Sequence, residues 1–137
     1  VDASHDFEAA LETFIQLMAS SAPYKAEFLQ DPQHVAFFKR VMPVMYQRGW
    51  LKMAVMAVDG RAIAAYLNFE YHDRVMVYNS GLDHEFDELS PGIVLIAHTI
   101  REAIERGFKV FDFLRGNERY KYHVGGQDTT IYMLKAH

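Results

Sequence analysis

Tyr120, Lys121, Asp112 and Glu70 are the side chains in this sequence best suited to acid–base work. The first three crowd into one segment, "FDFLRGNERYKYHVGG", from Phe111 to Gly126. A phenol such as Tyr120 can protonate a leaving thiolate, and an ammonium such as Lys121 can neutralise developing negative charge. Asp112 interrupts the apolar run from Val110 to Leu114, and an acid in a buried strand must be paired or hydrogen-bonded. Arg115 is its expected partner, as a structural clamp. Glu70 alternates with Tyr66 and Asn68 along one strand face. It is placed either to take a proton from an incoming amine or simply to meet solvent.

Two backbone features could hold a ligand. Ser90-Pro91-Gly92 opens a helix, with Ile93 next. The first N–H groups of a helix lack intrahelical partners, and such an end can receive a phosphate or pyrophosphate. The alternative is a capped helix start with nothing bound. The preceding loop carries Asp83, Glu85, Asp87 and Glu88, which repel an anion unless they point away. The second feature is the strand end Tyr78-Asn79-Ser80-Gly81. If the sheet splays there, its backbone would bond a ligand as a strand bonds its neighbour. An ordinary strand end is the competing reading.

The elements that must position these groups follow from periodicity. Phe7, Leu11, Phe14 and Met18 mark one helix face with Ser4 as its N-cap, stopped at "SSAPYK". Asp31-Pro32 starts a second helix, in which Pro43 predicts a kink or early end. From Trp50 the period becomes that of strands, with Asp59-Gly60 as a hairpin turn and a third strand after His72-Asp73. A helix then runs from a Ser90 cap to Gly107, with Ile93, Ala97, Ile100, Ile104 and Phe108 as its core stripe. A short parallel strand over "KVFDFL", a short helix near 117–123 and a last strand over "TTIYMLK" complete the pattern. The expected fold class is α/β, with α+β character. Helices flank a central mixed, mostly antiparallel sheet in the order α-α-β-β-β-α-β-(α)-β.

Composition narrows the function classes. A chain of 137 residues, half apolar, makes one domain. A net charge of −4 without a basic stripe disfavours DNA as a partner. There is no cysteine, hence no thiolate nucleophile and no cysteine-based zinc site, which suits a cytoplasmic setting. The seven histidines are scattered without an HExxH pattern, so no metal is expected. No apolar run approaches the ~20 residues of a membrane span. The chain begins at Val1 without an initiator Met, and the expectation is a domain cut from a longer protein or a processed chain.

The element order resembles the GNAT superfamily of N-acyltransferases. More specifically, "YNSGLDHEFDELSPGIVLIAHTIREAIERGFKVFDFLRGNERYK" is similar to the acetyltransferase-like domain of proteins associated with cellulose and exopolysaccharide biosynthesis. Tyr120-Lys121 through Gly125 resembles, more distantly, the ending of Fem-type aminoacyltransferases. The resemblance implies a single GNAT-like domain over 1–137, the C-terminal lobe of a longer protein. It also implies acetyl-CoA or another acyl-CoA as co-substrate. Ser90, Pro91, Gly92 and Ile93 would face its pyrophosphate. Tyr78, Asn79 and Ser80 would pair with its pantetheine arm, and an acceptor groove would run beside Asp112 and Tyr120. Where the superfamily usually has Gln/Arg-x-x-Gly-x-Gly/Ala, this chain has Asp87-Glu88-Leu89-Ser90-Pro91-Gly92.

The leading expectation is therefore acyl transfer to a small-molecule amine or sugar-linked acceptor by direct attack, with Tyr120, Lys121, Glu70 and Asp112 as candidate catalytic groups. Two alternatives stand beside it: a non-catalytic lobe binding a partner or sugar precursor, and tRNA-dependent aminoacyl transfer. A second GNAT-like lobe or a homodimer are the expected assemblies.

Overall fold

A computed structural model describes residues 4–116 and 118–136, with Ser4 and His5 by their backbone alone. Three helices precede the sheet: α1 (Ser4–Ser21), α2 (Pro23–Gln30) and α3 (Pro32–Gln47). The expectation of two is corrected by Pro23, which restarts a helix. At the first helical position its missing N–H sacrifices no bond. Asp31 caps α3, accepting from the Gln33 N–H at 2.9 Å. Pro43 does not end α3; buried Phe38 and Met42 anchor the helix around it. The expected Ser4 side-chain cap lies outside the described residues.

Strands β1 (Leu51–Val58), β2 (Arg61–Tyr71) and β3 (Arg74–Leu82) form the antiparallel meander. Its first turn uses positive φ at both Asp59 and Gly60, as a two-residue hairpin requires. A 3₁₀ turn (His84–Leu89) and α4 (Pro91–Glu105) then cross over to β4 (Val110–Asp112), which lies parallel to β3. The sheet order is β1-β2-β3-β4, and α5 (Arg119–His123) follows.

Strand alternation divides the core in two. Leu51, Met53, Ala65 and Leu67 face α1 and α3, meeting Phe7, Phe14 and Phe38. Ala64, Tyr66 and Val77 face α4, meeting Leu95 and Ile96. The buried line of α4 is Pro91, Leu95, Ile96 and Ala103. Ile93 and Ile104, expected in the core, are 41% and 70% exposed. The helix is apolar on nearly all sides of its first turn, so two stripes were available and packing on the sheet selected one.

The strand expected over residues 129–135 does not form; this stretch is irregular, with Tyr132 and Leu134 more than nine-tenths exposed. β4 has only three residues because Leu114 turns to φ +58°, which leaves too short an edge to seat a seven-residue strand. The observed order is α-α-α-β-β-β-α-β-α.

Candidate active site

The site begins where two parallel strands part. β3 and β4 share three rungs, Arg74–Val110, Val75–Phe111 and Met76–Asp112. Beyond them β4 ends, while β3 continues to Leu82. β3 is also bulged there: Leu67 pairs with Asn79 and Asn68 with Val77, leaving Tyr78 as the extra residue. A bulge bends its strand, so β3 turns away and a gap opens along its Tyr78–Leu82 edge.

The backbone of Ser80 faces this gap. In an antiparallel pair, alternate residues direct both N–H and C=O to the partner. The Asp83 N–H bonds the Ile63 carbonyl on β2, so Ser80 and Leu82 point the other way. Both are met by side chains. Asn79 Oδ1 accepts the Ser80 N–H at 2.8 Å. Lys25 Nζ, reaching from α2, donates to the Ser80 carbonyl at 2.7 Å. Ser20 Oγ donates to the Leu82 carbonyl at 3.2 Å. At Ser80 the free edge of β3 is thus held by groups that a strand-like ligand would replace.

Around the gap the electrostatics are those of a half-buried pocket. Burial lowers the Lys25 ammonium from its ordinary range, partly offset by Glu118. Burial pushes the Tyr120 phenol up to about 12, with Glu118 and Tyr24 adding to the effect. Burial and Tyr120 likewise raise Tyr66, whose Oη donates to the Gly92 carbonyl at 3.3 Å. Both phenols stay protonated at neutral pH. Neither Lys25 nor Tyr66 was singled out by sequence motifs. For Lys25 the only signal was its position in the turn "SSAPYK", next to a helix restart.

The start of α4 lies beside this cluster. Ser90 takes a left-handed conformation (φ +48°) and its side chain does not cap the helix, contrary to the expectation. The N–H groups of the first turn thus receive no capping oxygen from it. Pro91 is buried and Ile93 exposed. A Cβ at Gly92 would point inward, 3.4 Å from the Leu82 side chain and 3.8 Å from Tyr66 Oη. The acidic loop is largely tied down: Asp83 and Glu85 pair with Arg61 at 2.5 and 3.2 Å, and Asp87 with His84 at 3.1 Å.

The other expected catalytic residues fall into different settings. Lys121 is buried, and its Nζ meets the carbonyls of Phe113, Arg115 and Gly116 at 3.0–3.3 Å and Glu118 at 2.7 Å. Its donors are fully engaged in holding the turn after β4. Asp112 sits at the last shared rung but pairs with Arg74 at 2.9 Å, in place of the expected Arg115. Its other oxygen accepts the Leu114 N–H at 2.7 Å, which fixes the turn that ends β4. Glu70 is bidentate to Arg106 at 2.6 and 3.1 Å. It pairs across from Val75, four residues along β2 from Tyr66, and so lies roughly 13 Å from the gap. The Tyr78 ring packs against Phe38 and Phe69 on the α3 side of the sheet. Tyr120 and Ser80 are therefore the sequence candidates that the fold brings to the gap. Among the described residues no three His, Asp or Glu side chains form a metal-binding group, and no helix is long and apolar enough to cross a membrane.

A sheet splayed beside a helix start, with the strand edge facing the gap, accords with the family model for an acetyltransferase (GNAT) domain, which matches residues 1–122. The chain belongs to the GNAT acetyltransferase family. Its fold is shared with the PaiA N-acetyltransferase of Thermoplasma acidophilum, solved in complex with coenzyme A. That likeness has a TM-score of 0.53 at 14% identity and covers 72% of this chain and 68% of that one. An aminoglycoside acetyltransferase from an uncultured soil metagenomic sample, solved with sisomicin, gives a TM-score of 0.51 at 12% identity, over 83% and 88% of the two chains. The same acetyltransferase solved with trehalose gives 0.52. At such identities these likenesses establish the GNAT fold alone. No curated protein sequence matches the chain.

Proposed function

We propose that this GNAT domain moves an acyl group, acetyl in the simplest case, from acyl-CoA to an amine on a small molecule or sugar-linked acceptor. The observation that carries the reading is the unladdered Ser80 edge of β3, held by Asn79 and Lys25 inside an open splay. Its N–H and C=O suit the amides of a pantetheine arm, which offers one acceptor and one donor at strand spacing. The uncapped first turn of α4, with Ser90, Pro91, Gly92 and Ile93, suits the pyrophosphate. Pairing of Asp83 and Glu85 with the single Arg61, and of Asp87 with His84, offsets part of the repulsion that the loop's four acids would exert.

Acyl-CoA, when bound, supplies the acyl group as an activated thioester. Ser80 aligns the arm along β3. Once a ligand takes the Ser80 carbonyl, the Lys25 ammonium is free to face the gap, where negative charge develops during transfer. The Tyr120 phenol, kept protonated at neutral pH by burial, gives its proton to the departing thiolate as the C–S bond breaks, and the proton that the attacking amine loses restores the phenol. Positioning and electrostatics supply the acceleration; direct attack by the amine needs no covalent enzyme intermediate.

The likeness to an acetyltransferase solved with sisomicin supports an amine on a sugar-like scaffold as acceptor. A setting in polysaccharide or cell-envelope metabolism, as the C-terminal lobe of a two-lobe protein, extends the same reading. Its test is thiol release from acetyl-CoA in the presence of an amine panel that includes sisomicin, with acetylated product identified by mass. Amine-dependent thiol release is expected. Its absence from both this domain and the full-length protein would move the reading to a non-catalytic lobe.

A further inference from the structure

A single helix covers a width of about 10–12 Å, or little more than two strands at their usual spacing of about 4.8 Å. On the α4 side of this four-stranded sheet, that leaves β1 only partly covered. The result is a cavity of about 480 Å³ between α4 and β1–β2. Its floor includes Asn68 on β2, which is 3% exposed, and whose Oδ1 has no hydrogen-bond partner among the described residues. Native interiors seldom leave a buried amide oxygen unpaired.

The walls and mouth restrict what could satisfy it. Ala54, Met56, Val94 and Leu95 give apolar sides. At the mouth, Glu70 is bidentate to Arg106, and Lys52 pairs with Glu102. Two cations and two anions are matched there, which leaves His98 as the one lining side chain outside these pairs that could carry charge. We propose that this cavity binds a small neutral molecule carrying an amide or hydroxyl head on a short apolar body, with the head donating to Asn68 Oδ1. A primary amide suits best, because it both donates and accepts and so satisfies Asn68 in either orientation of its terminal amide. The site is separate from the Ser80 gap and does not depend on the acyl-transfer reading.

The test is a ¹H–¹⁵N titration of the whole chain with valeramide, with valerate as the charged, non-donating control. Expected are saturable shifts of the Asn68 side-chain amide and the Val94 and Thr99 backbone amides at millimolar ligand, the range open to so small a molecule. Valerate should leave them unmoved. Asn68→Leu should weaken valeramide binding by at least about tenfold while keeping or raising the melting temperature, since it removes an unpaired polar group. Ala54→Trp, which fills the cavity from β1, should abolish the shifts without moving the Ser80 amide. The proposal is overturned by linear, non-saturating shifts, which would mean a cavity holding water alone. It is equally overturned by equal shifts with valerate, or by unchanged binding in a folded Ala54→Trp protein.

Discussion

Lys25 Nζ on α2 donates to the carbonyl oxygen of Ser80 on β3 at 2.7 Å, across 55 residues of sequence. This contact joins the helical layer to the strand edge that opens where β3 and β4 part. It also distinguishes Lys25, which no sequence motif singled out, from Lys121, the lysine expected at the site. Lys121 is locked among three carbonyls and Glu118, whereas Lys25 holds a group that a strand-like ligand would claim.

The two lysines should respond differently to substitution. Lys121→Met strips a buried ammonium from the turn after β4 and is expected to lower stability by about 2–3 kcal/mol, read from denaturant midpoints. Lys25→Met removes one bond, to the Ser80 carbonyl, and should cost only about 1 kcal/mol while lowering kcat about 100-fold, with KM for acetyl-CoA changing far less. A large stability loss in Lys25→Met with normal turnover would reduce it to a structural tie.

Tyr120→Phe keeps the ring that packs edge-on against Phe113 at 6.1 Å and removes only the phenolic hydroxyl. Turnover should fall by about 100-fold or more, with KM little altered. Because burial raises the phenol's pKa to about 12, Tyr120 should contribute no alkaline limb to the wild-type pH–rate profile up to about pH 9. Steady-state kinetics across pH check both points.

Gly81 is needed for packing. A Cβ there would sit 2.5 Å from the Met18 nitrogen and 2.6 Å from the Leu17 carbonyl carbon, both backbone atoms of α1. Neither can swing aside, so Gly81→Ala is expected to cost about 2–3 kcal/mol and to displace the neighbouring Ser80. Thermal melts measure the first effect. A normal melting temperature would mean that α1 does not rest on β3 as described.

His84 ties the loop before α4 to the end of α1. Its Nε2 lies 2.6 Å from the Ser21 carbonyl and its Nδ1 3.1 Å from Asp87, so only the imidazolium can donate to both. These bonds, that to Ser21 foremost, raise its pKa above the ordinary 6.5. A raised folded-state pKa stabilises fully below the unfolded value and loses that stabilisation as pH rises through the folded one. The melting temperature of wild type relative to His84→Ala should therefore be higher by about 1–2 °C near pH 5.5, a small effect at so exposed a site. The difference should fade above neutrality. A difference that grew with pH would contradict the assignment.

Much of the fold was legible because local signals agreed. The Asp59-Gly60 hairpin, the Asp31 cap and strand alternation each fixed an element independently of the rest. The misses came from competition that pattern cannot weigh. Pro43 was tolerated because Phe38 and Met42 bury around it, and α4 had two apolar stripes of nearly equal merit. The TTIYMLK strand failed for want of an edge, which depends on the backbone of Leu114. At the candidate site, Ser80 and Tyr120 could be named from sequence because they lie in the two motif segments. Lys25 was not, since its meaning arises only when α2 folds against the bulged end of β3.

The central claim is that the open edge at Ser80 receives the donor's arm. The direct measurement is the backbone amide of Ser80 in ¹⁵N spectra, followed as CoA is added. The account predicts a saturable Ser80 shift, accompanied by the Asn79 side-chain amide and the Lys25 ammonium as their bonds to Ser80 are displaced. Saturable CoA binding that leaves all three unmoved would contradict it, as would an absence of CoA binding.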